Sequence, residues 1–202
     1  LLIDILDGVV LWYEISKTIW KNFQALLNGI RQGEFDLLII RDRYLIRGDL
    51  YQEALDYAKK SRSYTSNRHD FHPGGLTNKQ QKMLEGKLGE KAVKLFFLDN
   101  SVCFQEDATG YDERDEYDFL LVNPTERLKV DVKTRTKDFH TRTLEMVEQA
   151  QTHPKDIFIS TRLYCESNTV QLIGWFTYQD MIQKNQIENQ GYLNNYVMYD
   201  QD

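Results

Sequence analysis

The chain reads Tyr117-Asp118-Phe119-Leu120-Leu121-Val122, turns at Asn123-Pro124-Thr125-Glu126-Arg127, and continues as Leu128-Lys129-Val130-Asp131-Val132-Lys133-Thr134. This stretch decides the fold. In its second arm apolar Leu128, Val130 and Val132 alternate with polar Lys129, Asp131 and Lys133, the period of a strand with one buried face. Asp131 and Lys133 therefore project from the same polar face, two residues apart. The first arm opens with Asp118 ahead of an apolar run, and folding the two arms into a hairpin brings Asp118 towards Asp131. Two carboxylates and an ammonium at the rim of a sheet suit divalent-metal chemistry on a phosphate, because Mg²⁺ is a hard ion held by one or two carboxylates plus substrate oxygens.

Working outward, Thr77 caps a helix expected to run to about Leu98, and a strand follows at Val102 to Gln105. An acidic loop, Glu106 to Glu116, leads into the hairpin. Asp138 to Thr143 is read as a polar connection into a helix ending near Gln151, which Pro154 stops. Strands are expected at 157–162 and 170–175. Thr177 and Asp180 then form a capping-box pair at the start of a last helix. Met83, Gly86, Glu90, Val93 and Phe97 recur at helical spacing on the Thr77 helix. A glutamate in an apolar stripe needs a partner, since an unpaired buried carboxylate costs several kcal/mol. The partner is either a neighbouring lysine or a metal site, with the glycines of Gly86-Lys87-Leu88-Gly89-Glu90 permitting close backbone approach.

Asp118, followed after the twelve residues Phe119 to Val130 by Asp131-Val132-Lys133, resembles the PD-(D/E)XK signature of the restriction-endonuclease-like nuclease superfamily. Tyr117 stands where the proline of that signature would be. The order helix, three strands, helix, strand over about residues 77 to 182 is similar to the αβββαβ core of the same superfamily. The resemblance implies an α/β fold built on a mixed α+β sheet. It also implies that Asp118 and Asp131 bind Mg²⁺ (or Mn²⁺ in its place) with the carbonyl of Val132, and that Glu90 completes the metal shell. Lys133 would orient the attacking water and offset charge on the scissile phosphate. The exonuclease branch of the family carries Gln-x-x-x-Tyr after the motif lysine; here Gln149 is followed by His153, which favours an endonuclease of the restriction, homing or mobile-element kind. The alternative is a non-catalytic DNA-binding or structural subunit that retains the fold.

Charge supports a nucleic-acid partner despite a net charge of −6 over 202 residues. Residues 59 to 94 carry nine bases against three acids (+6), residues 95 to 128 nine acids against two bases (−7), and residues 129 to 142 five bases against two acids (+3). An acidic centre between basic flanks fits a metal site inside a phosphate-binding cleft. Arg135, Lys137, His140 and Arg142 follow the motif lysine and are candidate DNA contacts, as are Arg62 and Arg68 in the Ser- and Asn-rich stretch before His69. The pair His69 and His72 lacks further ligands nearby, so zinc is not expected.

Residues 1–75 are read as an N-terminal, largely helical extension and residues 76–202 as the nuclease core. In the extension, residues 2–13 form either a hairpin or the start of a long helix; the hairpin is preferred, followed by a helix from about Ser16 to Gln32 and another capped by Asp49. Its aromatic and apolar excess (Trp12, Tyr13, Trp20, Phe23, Phe35, Tyr44) suggests a homodimer interface. Cys103 and Cys165 sit in apolar, strand-like settings and are expected as buried free thiols of a cytoplasmic protein. No apolar run is long enough to span a membrane, and neither a signal peptide at the opening residues nor an organic cofactor is expected.

Overall fold

The computed structural model describes residues 42–61, 75–110, 115–122, 126–189, 191 and 193–201. The expected hairpin over 2–13, the helix over 16–32, the residues Arg62 and Arg68 and the two histidines at 69 and 72 lie outside the described residues.

Thirteen elements follow in chain order among the described residues: β1 (Arg43–Leu45), α1 (Asp49–Lys60), α2 (Gly75–Asp99), β2 (Phe104–Glu106), β3 (Phe119–Val122), β4 (Arg127–Arg135), β5 (Arg142–Met146), α3 (Val147–Thr152), β6 (Ile157–Tyr164), β7 (Thr169–Thr177), α4 (Tyr178–Lys184), β8 (Ile187–Asn189) and β9 (Asn194–Tyr199). The fold is mixed α+β. A six-stranded sheet runs in the order β1-β7-β6-β4-β3-β2, and a three-stranded sheet in the order β5-β9-β8. The hairpin expected from the sequence is present: β3 and β4 pair antiparallel with Phe119 opposite Val130 and Val122 opposite Arg127. β4 then pairs parallel with β6, placing Asp131 beside Phe158 and Lys133 beside Ser160. The expected succession of helix, three strands, helix and strand is therefore found, with one strand, β5, inserted before the second helix.

The alternation in β4 separates two hydrophobic layers. Val130 and Val132 join Leu84, Leu88, Ala92, Val93, Phe96 and Phe97 of α2 in the main core. Phe158, Phe176, Met181, Tyr196 and Met198 form the second layer on the other side. The apolar stripe of α2 is thus rotated from the one read in sequence. Its centre is Leu84, Leu88 and Ala92, and Glu90 lies on its flank with a largely buried side chain. At Gly89 helix and sheet approach closely: a Cβ there would lie 1.9 Å from Thr134 Oγ1 and 3.0 Å from Thr161 Oγ1. Nothing comes within 4 Å of a Cβ at Gly86, so close approach explains one glycine of the pair and not the other.

Several expectations are corrected. Residues 42–61 belong to the same core as residues beyond 75, because β1 pairs with β7 and Tyr44, Ile46, Ala54 and Ala58 are buried in the main core. Tyr44, at 1 % exposure, is consumed by the chain's own core and has no surface to offer a second subunit. Asp49 is the first residue of α1 rather than its cap; Gly48, at φ +60°, precedes it. Both cysteines are exposed. Cys103 directly precedes the short edge strand β2, and Cys165 lies in the turn joining β6 to β7. The Thr177–Asp180 capping box forms as read, with Asp180 N donating to Thr177 Oγ1 at 3.1 Å and Thr177 N to Asp180 Oδ2 at 2.9 Å. No helix among the described residues is long and apolar enough to cross a membrane.

Candidate active site

β3 begins one residue after Asp118, and that offset builds the site. Asp118 N donates to the Val130 carbonyl at 2.9 Å, while its own carbonyl accepts from Asp107 N at 3.2 Å. Beyond Val130 the edge of β4 facing β3 has no strand partner. The Asp118 carboxylate fills the place, with Oδ2 accepting from Val132 N at 2.6 Å. A side chain thereby continues a ladder the backbone has left, and Asp118 is locked against the Asp131-Val132-Lys133 segment. α2 delivers Glu90 to the same place, where its charge acts on the Asp118 carboxyl.

Lysines complete the cluster. Lys133 Nζ lies 2.8 Å from Asp131 Oδ2 and 2.6 Å from Glu145 Oε2. The first contact is one of charge, which leaves Asp131 Oδ2 buried without a hydrogen bond of proper geometry; Glu145 Oε1 is likewise buried with no hydrogen-bond partner. Lys87 Nζ donates to Glu90 Oε2 at 2.8 Å, lies 3.6 Å from Asp115 Oδ2, and sits 4.2 Å above the ring centroid of Tyr57. Lys155 Nζ donates to the carbonyl of Glu116, tying the acidic loop to the start of β6.

Burial and like charge set the protonation pattern. Burial pushes the Asp118 carboxyl well above the usual carboxylate range, and the Glu90 and Asp131 charges push the same way. Burial also raises Glu90 and Glu145, each opposed by its lysine. Burial disfavours the ammonium of Lys87, but Glu90 and Asp118 outweigh it and hold that lysine above its ordinary value. Asp131 and Glu145 do the same for Lys133. At Lys155 burial prevails and lowers the pKa despite Asp131, Asp118 and Glu145. Burial lifts the Tyr57 hydroxyl to about 12.

The cluster is reached from two sides. A cleft of about 350 Å³ between α1 and α2 leads past Tyr57 and Lys87 to Glu90 and Asp118. A wider groove of about 660 Å³ starts at Lys133 and runs past Arg135, Phe139, His140 and Arg142 to Tyr199. Among the described residues no three carboxylate, imidazole or thiol groups are gathered tightly enough to hold a metal ion as they stand; the acids are paired with lysines or, at Asp118, with a backbone amide.

No family model and no curated protein matches this chain. Among solved structures, the chain is similar to a bacterial homing endonuclease, I-Ssp6803I, at 15% identity and a TM-score of 0.35, over 59% of this chain and 75% of that one. A TM-score below 0.5 does not establish a common fold.

Of the residues singled out in sequence, Glu90, Asp118, Asp131, Val132 and Lys133 are brought together. The candidate DNA contacts divide. Lys137 and His140 are exposed. Arg142 is half-buried and bonded to Glu188. Arg135 is a correction: it is buried, donating through Nη1 to the His140 carbonyl at 3.0 Å and through Nη2 to Asp200 Oδ1 at 2.7 Å, so its guanidinium holds the protein's own loop. Two members of the cluster escaped the sequence reading, and a third, Lys87, is the neighbouring lysine expected as one alternative partner of Glu90. Lys87 had a signal, lying three residues before Glu90 on the same helix face. Glu145 had none, because the buried face of β5 is Thr143 and Glu145, so its strand shows no apolar alternation. Lys155 follows Pro154 in a connection without periodicity, and only the parallel pairing of β4 with β6 brings it near.

Proposed function

We propose that this chain is a Mg²⁺-dependent deoxyribonuclease of the PD-(D/E)XK type, an endonuclease of the restriction-like or homing and mobile-element kind that acts as a homodimer. The observation that carries the proposal is the lock between Asp118 and the Asp131-Val132-Lys133 segment, joined by Glu90 from α2. The donor set fits a hard cation. Asp118 and Asp131 offer carboxylate oxygens, Asp131 Oδ2 lying 2.8 Å from the Lys133 ammonium. In a strand the N–H and C=O of one residue point to the same side, so the carbonyl of Val132 emerges beside the Asp118 carboxylate that takes its N–H. One or two carboxylates and a carbonyl leave room for the waters and phosphate oxygens Mg²⁺ retains. The lysine counter-charges at Glu90, Asp131 and Glu145 are what a group of buried acids adopts on its own.

When bound, the ion supplies polarisation of a phosphate oxygen and a more acidic water. Lys133, held between Asp131 and Glu145, remains charged and aimed at the same rim, where it orients water and stabilises charge on the phosphate. Glu90 adds negative charge from the helix side and, with Lys87, sets how strongly the rim attracts a cation. A two-fold pair of such sites attacks both antiparallel strands with the same chemistry.

Plasmid cleavage tests the proposal. The wild type in Mg²⁺ is expected to nick or linearise supercoiled DNA, and Lys133→Ala to lose several kcal/mol of transition-state stabilisation, hence orders of magnitude in rate, with DNA binding retained. Wild-type-like cleavage by Lys133→Ala would remove the lysine from the chemistry. DNA binding without cleavage in Mg²⁺ or Mn²⁺ would favour the non-catalytic subunit.

A further inference from the structure

Phe139 is 77% exposed, the most exposed of the large hydrophobic side chains among the described residues. It stands at the tip of a turn closed by His140 N donating to the Lys137 carbonyl at 3.1 Å. The base of that turn is unusually well held for a surface loop. The His140 carbonyl accepts from Arg135 Nη1 at 3.0 Å and from Arg162 Nη2 at 3.2 Å, and the Thr141 carbonyl accepts from Asp200 N at 3.0 Å. Arg135 is itself fixed by Asp200. The His140 ring packs edge-on against Phe139, with centroids 4.7 Å apart at 80°. The ring of Phe139 is therefore presented on an ordered support instead of trailing from a loose loop.

Its surroundings specify what it meets. The groove it lines begins at Lys133, and its volume of about 660 Å³ lies within the range of ligand-sized clefts. Lys137 and Asp138 precede the aromatic in the turn and His140 follows it, while Lys133 and Arg142 line the groove farther along, Lys133 against Asp131 and Glu145 and Arg142 against Glu188. An exposed aromatic face beside Lys137, in a groove continuous with the proposed phosphate-cutting lysine, matches a nucleotide strand: cationic side chains for phosphates and an aromatic ring for a base.

We propose that Phe139 is a nucleobase-stacking platform that fixes the DNA strand next to the phosphate at Lys133. This rests on the nuclease reading above and assigns its groove side. The base face comes from one of two sources, an unpaired base or a base step opened in a duplex by an inserted side chain.

The test is equilibrium binding of fluorescein-labelled single-stranded and duplex oligonucleotides in EDTA, by anisotropy, with 2-aminopurine placed at successive positions. Phe139→Ala, at an exposed site, should fold and melt like the wild type. It is expected to bind roughly 5- to 100-fold more weakly and to abolish the 2-aminopurine fluorescence change seen with the wild type. Phe139→Trp should restore the affinity, and its indole fluorescence should be quenched by DNA. Loss confined to single strands identifies an unpaired base, and loss on duplex identifies an opened step; either supports the platform. A wild type that cuts DNA while Phe139→Ala binds both oligonucleotides with unchanged Kd overturns the platform and leaves the nuclease standing. A wild type that neither binds nor cuts overturns both.

Discussion

Replacing Gly89 by alanine sets two effects of known sign against each other. Within a helix interior, Gly→Ala contributes about 1 kcal/mol of stability through reduced backbone entropy. At this position the new Cβ would lie 1.9 Å from Thr134 Oγ1, 3.0 Å from Thr161 Oγ1 and 3.1 Å from Thr134 Cβ. Two of those atoms form a hydrogen bond of their own, Thr161 Oγ1 donating to Thr134 Oγ1 at 3.1 Å. Rotating Thr134 does not solve the problem, because its Cβ is crowded as well and sits on a central strand. Overpacking of this kind costs about 1–3 kcal/mol or more, and a lost hydroxyl hydrogen bond about 1 kcal/mol. The clash wins, for a net loss of about 1–3 kcal/mol. For a chain of this size that is a fall in Tm of about 2–12 °C by circular dichroism. Gly86→Ala is the internal control: nothing lies within 4 Å of its Cβ, so propensity acts alone and stability stays level or rises by up to about 1 kcal/mol. Adding Thr134→Ala to Gly89→Ala should recover part of the loss, since it removes the worst contact. A Gly89→Ala protein that melts at or above the wild type would refute the close approach of α2 to β4, and with it the placement of Glu90, the next residue.

Two further outcomes follow from the charge cluster. Glu145→Gln keeps the shape of the side chain and removes the charge 2.6 Å from Lys133 Nζ; cleavage should fall about 10–100-fold with DNA affinity unchanged, and an unaltered rate would show that Glu145 only fills space. Asp118→Asn keeps an oxygen for Val132 N–H and removes a buried charge. Because the folded-state pKa of Asp118 is raised, its contribution to stability is fully present below the unfolded value of about 4 and is lost as pH rises through the folded value. Thermal melts in EDTA should therefore place the Asn variant above the wild type at pH 8 and level with it near pH 4; an offset that does not change with pH would contradict the buried-charge account.

The parts of this protein legible in sequence are those governed by local rules. The β3–β4 hairpin could be read from a period of two, the start of α4 from a Thr-x-x-Asp capping box, and the shared face of Asp131 and Lys133 from strand geometry. The order of elements through β6 followed from the same signals, except for β5. That strand buries Thr143 and Glu145, so its inward face is polar and hydrophobic periodicity passes over it. Its partner β9 lies in an Asn- and Tyr-rich tail whose strand character depends on being paired. β1 reads as part of an extension because its pairing with β7 closes a gap of more than a hundred residues, and no local pattern reports a contact so distant. Sequence thus determined which acids and which lysine could share one edge. Only the tertiary structure decided their partners: Lys87 for Glu90, Glu145 for Lys133, Lys155 near both aspartates, and Arg135 turned inward to hold a loop. The physical reason is that a buried charge must be balanced by whatever cation the fold brings within a few ångströms, and that proximity is set by strand pairing and helix packing rather than by spacing along the chain.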